Sequence, residues 1–384
     1  MMYTFPEKGL SEDMVTDLLK EMRSRDCPYD RLLSTMCTRP HPVAVRAYSM
    51  FLETNLGDPG LFPGTAEIER RVVGILGSLL GCSDATGYVS TGGTESNIQA
   101  VRAARNSSGR RDGNIVVPRS AHFSFDKIAD LLNLEVRKAE LDESLRVDVG
   151  DVERLIDDRT VCLVGIAGTT EFGQVDPIGD LSELAIENGI PLHVDAAFGG
   201  FVLPFLEKDC MWDFRAEGVQ SITIDPHKMG MSPIPAGGLI FRSSDPLRRL
   251  ETETYYLTVS RQASLTGTRS GAAAAATYAV IMHLGIDGYR KVVRRCMDMT
   301  EHLVSEARAM GIEPVIEPVM NVVALRVDDP PGVRRALLER GWHVSMTREP
   351  KALRLILMPH MTDENLDLFL SDLEDVLISL RRGG

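Results

Sequence analysis

The stretch Thr86-Gly87-Tyr88-Val89-Ser90-Thr91-Gly92-Gly93-Thr94-Glu95-Ser96-Asn97 reads as a strand, then a Gly/Thr turn, then the start of a helix. At such a start, free N–H groups and the positive end of the peptide dipole face outward. Thr91 and Thr94 add hydroxyls, and two glycines admit close backbone approach, so the turn suits an anion such as phosphate. It matches neither a P-loop, which needs Lys-Ser/Thr after the glycines, nor the GxGxxG fingerprint. A capped turn without ligand is the plainer reading of these residues alone. Further candidate strands cover 85–90, 113–118, 160–167, 191–195, 221–225 and 238–241, with helices near 95–105, 123–132, 151–157 and 181–187. This alternation predicts an α/β fold with a mostly parallel sheet. In such sheets ligands bind beyond the carboxyl ends of the strands.

Upstream, Ser11 is placed to cap an amphipathic helix over 11–25, with Met14, Val15, Leu18, Leu19 and Met22 at helical spacing. This segment reads as a docking arm. Arg39-Pro40-His41-Pro42 and the Pro/Gly-rich run 55–65 read as loop, before a second helix over about 66–80 that stops at Gly81. Downstream, a helix over 272–310 leads to a strand at 319–326, a helix at 333–340, a strand at 353–358 and a helix at 363–380. The expected division is an N-terminal helical arm (1–54), a large domain (55–285) and a small C-terminal α/β domain (286–384). Two lobes suit 384 residues, because single cores stop growing at roughly 250–300.

With 43% hydrophobic and 25% charged residues, the chain has ordinary globular usage, which excludes extended disorder and fibrous folds. A formal charge of −13 without a visible basic patch argues against nucleic-acid or anionic-membrane partners. Cys27, Cys37, Cys82, Cys162, Cys210 and Cys296 lack CxxC or Cys/His spacing, so buried reduced thiols are expected and no metal site. Neither an export signal nor an apolar run near the ~20 residues of a membrane span is visible, and the expectation is a cytoplasmic protein.

Two further strand ends carry chemistry. Pro191-Leu192-His193-Val194-Asp195-Ala196-Ala197-Phe198-Gly199-Gly200 puts a carboxylate at the end of an apolar strand, followed by small residues where a flat group has room. A buried carboxylate needs a partner; a protonated pyridine nitrogen serves, and so does a cap on the next turn. Ser221-Ile222-Thr223-Ile224-Asp225-Pro226-His227-Lys228-Met229-Gly230 ends a strand with a lysine, whose ε-amine is the group imine chemistry requires. Alone, a surface lysine is the better reading. Together the three stretches offer a phosphate cradle, an acid for a ring nitrogen and an imine-forming amine, in chain order. Those are the three functions pyridoxal 5′-phosphate (PLP) needs.

On Thr91-Gly92-Gly93-Thr94-Glu95-Ser96-Asn97, His193-Val194-Asp195-Ala196-Ala197 and Asp225-Pro226-His227-Lys228, the sequence resembles the group II PLP-dependent amino-acid decarboxylases of fold type I, from about Asn55 to Pro359. The short chain and Leu265-Thr266-Gly267-Thr268-Arg269-Ser270-Gly271 look most like the archaeal L-tyrosine/L-aspartate decarboxylases. The resemblance implies the PLP-dependent transferase fold, with Lys228 as Schiff-base lysine, Asp195 as partner of the pyridine nitrogen and Ala197 beneath the ring. His122, in Ser120-Ala121-His122-Phe123-Ser124, would stack on the ring; a helix-capping or core histidine fits the same context. Thr91, Gly92, Gly93 and Thr94 would surround the phosphate with His227 nearby, unless His227 only buttresses Lys228. Thr170 would lie near the ring hydroxyl.

Tyr256 would protonate the carbanion after carbon dioxide leaves; a core or interface tyrosine fits equally, and Tyr255 competes for the role. Arg354, alone in an apolar strand, suits a substrate α-carboxylate or a structural acid. A homodimer with shared sites is implied, with Thr266 in a loop reaching the neighbour's phosphate. The implied activity is decarboxylation of L-tyrosine to tyramine, of L-aspartate to β-alanine, or both, serving methanofuran and coenzyme A biosynthesis. Arg39, Arg261 and Arg269 are candidate anchors for the substrate side chain. The rivals are another fold-type I activity (glutamate decarboxylase, lyase, desulfurase or aminotransferase) and a non-catalytic PLP-binding regulator.

Overall fold

The computed structural model describes residues 4–207 and 210–383. After α1 (Glu12–Arg23), α2 (Pro42–Met50) and α3 (Pro63–Leu79), the chain builds a seven-stranded sheet from β1 (Thr86–Ser90), β2 (Asn114–Pro118), β3 (Glu135–Ala139), β4 (Thr160–Ile166), β5 (Leu192–Asp195), β6 (Val219–Ile224) and β7 (Gly237–Phe241). Their order is β1-β7-β6-β5-β4-β2-β3. β7 runs antiparallel to both neighbours and the other pairs are parallel. Every residue of β2, β4, β5 and β7 is buried, as a sheet covered on both faces requires. Helices α4 (Gly93–Ser108), α5 (Ser124–Leu132), α6 (Val149–Leu155), α7 (Ile178–Glu187) and α8 (Ser244–Arg248) alternate with the strands.

Beyond a short hairpin of β8 (Thr252–Glu253) and β9 (Arg261–Gln262), the long helix α9 (Gly271–Ala309) leaves helical geometry once, at Gly285 (φ 57°, ψ −172°). It leads to a three-stranded antiparallel sheet of β10 (Val322–Leu325), β11 (Ser345–Met346) and β12 (Leu353–Ile356), with α10 (Pro330–Glu339) and α11 (Asp363–Gly383). One apolar core runs without a break from Val72 in α3 and Val194 in β5 to Leu303 in α9, Val323 in β10 and Phe369 in α11.

Where the sequence reading fails, the reasons are physical. Pro42 and Pro63 lie in the first turns of α2 and α3, where no N–H is needed, so residues read as loop start helices. His41 caps α2, its Nδ1 accepting from Val43 N at 3.2 Å. β3 was not anticipated, because Glu135-Val136-Arg137-Lys138-Ala139 is a charged, half-exposed edge strand. Of the cysteines, only Cys162 and Cys296 are buried; the other four are half-buried. Ser11 does cap α1, its Oγ accepting from Met14 N at 3.3 Å. No residue of α1 is buried, and Met14, Val15, Leu18, Leu19 and Met22 are exposed.

Candidate active site

A cavity of about 290 Å³ opens at the carboxyl ends of the central strands. It collects Thr91, Gly92, Gly93 and Thr94 from the β1–α4 turn, His122 from the loop after β2 and Thr170 from the loop after β4. Asp195 and Ala197 come from the end of β5, and His227 and Lys228 from beyond β6. Ten of the seventeen candidate site residues read from the sequence therefore meet in one place.

Asp195 is buried and held from both sides: Asn97 Nδ2 donates to its Oδ2 at 2.8 Å, and Ala197 N donates to its Oδ1 at 3.0 Å. Lys228 Nζ lies 3.4 Å from Asp225 Oδ2, which also accepts Gly93 N at 3.0 Å and faces His227 Nε2 at 3.6 Å. Asp225 Oδ1 is buried without a partner among the described residues. His227 Nδ1 accepts Ala236 N at 3.2 Å.

In the β1–α4 turn, Thr91 gives both its N–H (2.8 Å) and its hydroxyl proton (2.7 Å) to Glu95 Oε2, while Tyr88 donates to Glu95 Oε1 at 2.9 Å. Thr91 thus shapes the turn, and its hydroxyl proton is already committed. The donors facing the cavity from this side are Thr94 and the first-turn N–H groups of α4. His122 Nδ1 accepts Ser124 N at 3.3 Å, which leaves the proton of the neutral ring on Nε2. The helix-capping reading of His122 therefore holds together with its place in the cavity wall. Burial pushes His122 and His227 below the usual histidine range, and Lys228 acts in the same direction on both against the nearby carboxylates.

The other seven stand elsewhere. Tyr256 is 87% exposed on the β8–β9 hairpin, as is Tyr255 at 91%, and Thr266 is exposed in the following loop. Arg354 is buried behind the wall: its Nε donates to Thr170 O at 2.6 Å, and its Nη1 to Ser345 Oγ at 3.0 Å and Ser34 O at 3.4 Å. No carboxylate of the described residues lies within ion-pair distance of it, and burial lowers it to about 10. Arg39, Arg261 and Arg269 do not line the cavity. Arg269 is taken up by Glu69, Val89 O and Leu56 O, and Arg261 faces Glu251 and Glu253. Conversely, Met36, Glu95, Asn97, Ile166, Gly168, Phe198 and Asp225 also line it. Asp225 ends an apolar strand as Asp195 does, a signal the sequence offered.

The pyridoxal-dependent decarboxylase conserved domain matches residues 54–328. The chain belongs to the pyridoxal-dependent decarboxylase family. This decarboxylase is 55% identical to the probable L-tyrosine/L-aspartate decarboxylase of Methanosarcina acetivorans, over 97% of this chain and 100% of that one. It is 54% identical to the probable L-aspartate decarboxylase of Archaeoglobus fulgidus, over 94% and 99%. Among solved structures, the sphingosine-1-phosphate lyase of Burkholderia pseudomallei superposes with a TM-score of 0.90 at 29% identity, covering 98% of this chain and 93% of that one. Lactobacillus brevis glutamate decarboxylase shares the fold with a TM-score of 0.92 at 23% identity, covering 99% and 95%. The decarboxylase uses PLP and acts on an amino acid.

The residues present fit that cofactor. An amine, a doubly held carboxylate and a helix N-terminus share the cavity, and Asp225 Oδ1 is left without a partner. A Cβ on Gly92 would come within 2.9 Å of His227 Cε1, and one on Gly93 within 3.0 Å of Asp225 Oδ2, so the turn has room for backbone alone.

Proposed function

We propose that this decarboxylase acts on L-tyrosine, L-aspartate or both, releasing carbon dioxide and giving tyramine or β-alanine for methanofuran and coenzyme A biosynthesis. The observation that carries the substrate reading is the name shared by relatives that match almost the whole chain at about 55% identity. Bound PLP supplies an aldehyde for the substrate amine and a protonated ring that takes up an electron pair.

The chain's own residues do the rest. Lys228 would present the amine that holds the cofactor, and Asp195 would partner the ring nitrogen. His122, with Nδ1 occupied by Ser124 N, would stack on the ring, and Ala197 would leave it space. Thr170 would serve the ring hydroxyl. Thr91, Gly92, Gly93 and Thr94 would form the phosphate cradle with His227 beside them. Arg354 would take the α-carboxylate: it is a buried guanidinium next to Thr170 in the cavity wall, with backbone and hydroxyl acceptors and no acid within ion-pair distance among the described residues.

A homodimer fits the rest of the pattern. Tyr256 and Thr266 stay exposed and away from their own chain's cavity, which supports Tyr256 returning a proton to Cα, and Thr266 approaching a phosphate, in the neighbouring subunit. The break in α9 at Gly285 supports the division into 55–285 and 286–384, with 1–54 as the arm. No helix among the described residues is long and apolar enough to cross a membrane. We place the protein in the cytoplasm on its composition, with small-molecule substrates and without a nucleic-acid or membrane partner.

The test is to incubate the purified protein and PLP with L-tyrosine, L-aspartate, L-glutamate or L-histidine, measuring carbon dioxide and amine without a keto acid. Tyrosine or aspartate turnover is expected, with Lys228→Ala losing both turnover and borohydride trapping of the cofactor. Exclusive turnover of glutamate or histidine overturns the substrate reading.

A further inference from the structure

Asn97 lies one helical turn beyond the cavity-facing glycines and is 1% exposed. A primary amide has two donor hydrogens and two acceptor lone pairs, and Asn97 uses all four. Its Nδ2 donates to Asp195 Oδ2 at 2.8 Å and to Ser124 Oγ at 3.3 Å, while its Oδ1 receives Thr223 Oγ1 at 2.7 Å and lies 3.0 Å from His193 Nε2. The carboxylate fixes the amide's orientation, since a flipped amide would set Oδ1 against Asp195 Oδ2, acceptor against acceptor.

Everything behind follows from that orientation. Oδ1 only accepts, so His193 carries its proton on Nε2. Its Nδ1, 2.9 Å from Ser221 Oγ, then accepts the serine proton. His193 is itself 1% exposed, and burial pushes it down to about 4, so the ring stays neutral and the direction of the bonds is fixed. The result is a buried chain of single polarity, from Ser221 through His193 and Asn97 to Asp195, with Thr223 as a second donor. Through Ser124, whose N–H goes to His122 Nδ1, the same amide is tied to the residue on the ring's face.

We propose that Asn97, oriented by His193 and Thr223, is a positioning residue that fixes the Asp195 carboxyl group against the cofactor's pyridine nitrogen and so keeps the proton on that nitrogen. This rests on the reading of Asp195 given above. A carboxyl group released from Asn97 turns about its Cβ–Cγ bond, and as the contact lengthens the proton leaves the ring.

The test is nitrogen-15 NMR of ring-labelled PLP bound to the full chain, together with cofactor affinity and thermal unfolding of each apoprotein. Asp195→Asn serves as reference and is expected to lose the protonated-ring signal. Asn97→Leu and His193→Leu are expected to lose it as well and to bind PLP at least tenfold more weakly. His193→Gln, which keeps a donor near the Nε2 position, retains the signal. Thr223→Val, nearly isosteric and removing one of the two donors to Asn97, shifts the signal partway without lowering the unfolding midpoint; it carries the test should a leucine variant fail to fold. Protonated signals in Asn97→Leu and Thr223→Val alongside a lost one in Asp195→Asn overturn the proposal. A protonated signal in Asp195→Asn overturns the reading of Asp195 and the proposal with it.

Discussion

Gly92 has φ +144°, and the nearest atom to a Cβ placed on it is His227 Cε1 at 2.9 Å. An alanine there is strained twice, by its backbone and by a ring fixed through Ala236 N. Gly92→Ala is therefore expected to weaken PLP binding tenfold or more in a fluorescence titration while leaving the apoprotein folded; unchanged affinity would show that the turn does not touch the phosphate. His193 sets a pH dependence. Its folded value is depressed from 6.5 to about 4, so its contribution to stability is complete above pH 6.5 and is lost as the pH falls toward 4, where the unfolded chain alone takes up the proton. By linkage that loss is about 3 kcal/mol. The destabilisation of His193→Gln relative to wild type, measured by urea unfolding, should shrink by this order between pH 7 and pH 4. A constant difference would contradict it. Lys228 and Asp195 were legible in the sequence because a charge closing an apolar strand is conspicuous. The roles of Asn97 and Glu95 are not legible, since they lie in what the side chains bond to, 27 to 126 positions away for Asn97 and 4 to 7 for Glu95; Asp225 offers the same strand-end signal as Asp195, and Arg354 looks like a site residue without revealing that Thr170 O stands beside it.

The central elements could be read because buried parallel strands are continuous apolar runs, and β4 and β5 fall within a residue of their expected ends. The errors gather where one residue type has two meanings: proline stops a helix from inside but starts one from its first turn, as at Pro42 and Pro63. The β8–β9 hairpin was invisible as structure because its order comes from a distant loop. Thr258 donates its N–H at 3.0 Å, and its hydroxyl, to Asp58 Oδ1, while its Oγ1 accepts Gly60 N at 3.0 Å. Gln262 Nε2 adds a bond to Gly57 O at 2.9 Å. Hydrogen bonds to a charged group contribute about 1.5–3 kcal/mol. Thr258→Val should therefore raise the rate of limited proteolysis within residues 254–260 roughly tenfold or more, because cleavage follows the population of the opened loop. PLP affinity should change less than turnover, as no hairpin residue lines its own chain's cavity while turnover draws on Tyr256 in the proposed neighbouring site. Cleavage at the wild-type rate would mean that Asp58 does not hold the loop.

At the scale of the whole molecule, one apolar core runs from the large sheet into the segment expected as a second lobe, a continuity that composition and length do not reveal. The arm is the part that one chain leaves unfinished. α1 has twelve residues, close to the ~12–15 below which helices are marginal in water, and none is buried. Its apolar face, Met14, Val15, Leu18, Leu19 and Met22, gains from docking on another surface, and in a homodimer that surface belongs to the partner. Leu18→Asp combined with Leu19→Asp sets two charges on that face while leaving the large sheet and the cavity untouched. Sedimentation should show the wild-type protein at twice the mass of one chain and the double variant shifted toward a single chain. On the proposed shared site, in which Tyr256 and Thr266 would complete the neighbour's cavity, amino-acid turnover should fall with the dimer fraction. A double variant that stays dimeric with full turnover removes α1 from the interface, and a wild-type protein that is active as a monomer removes the shared site.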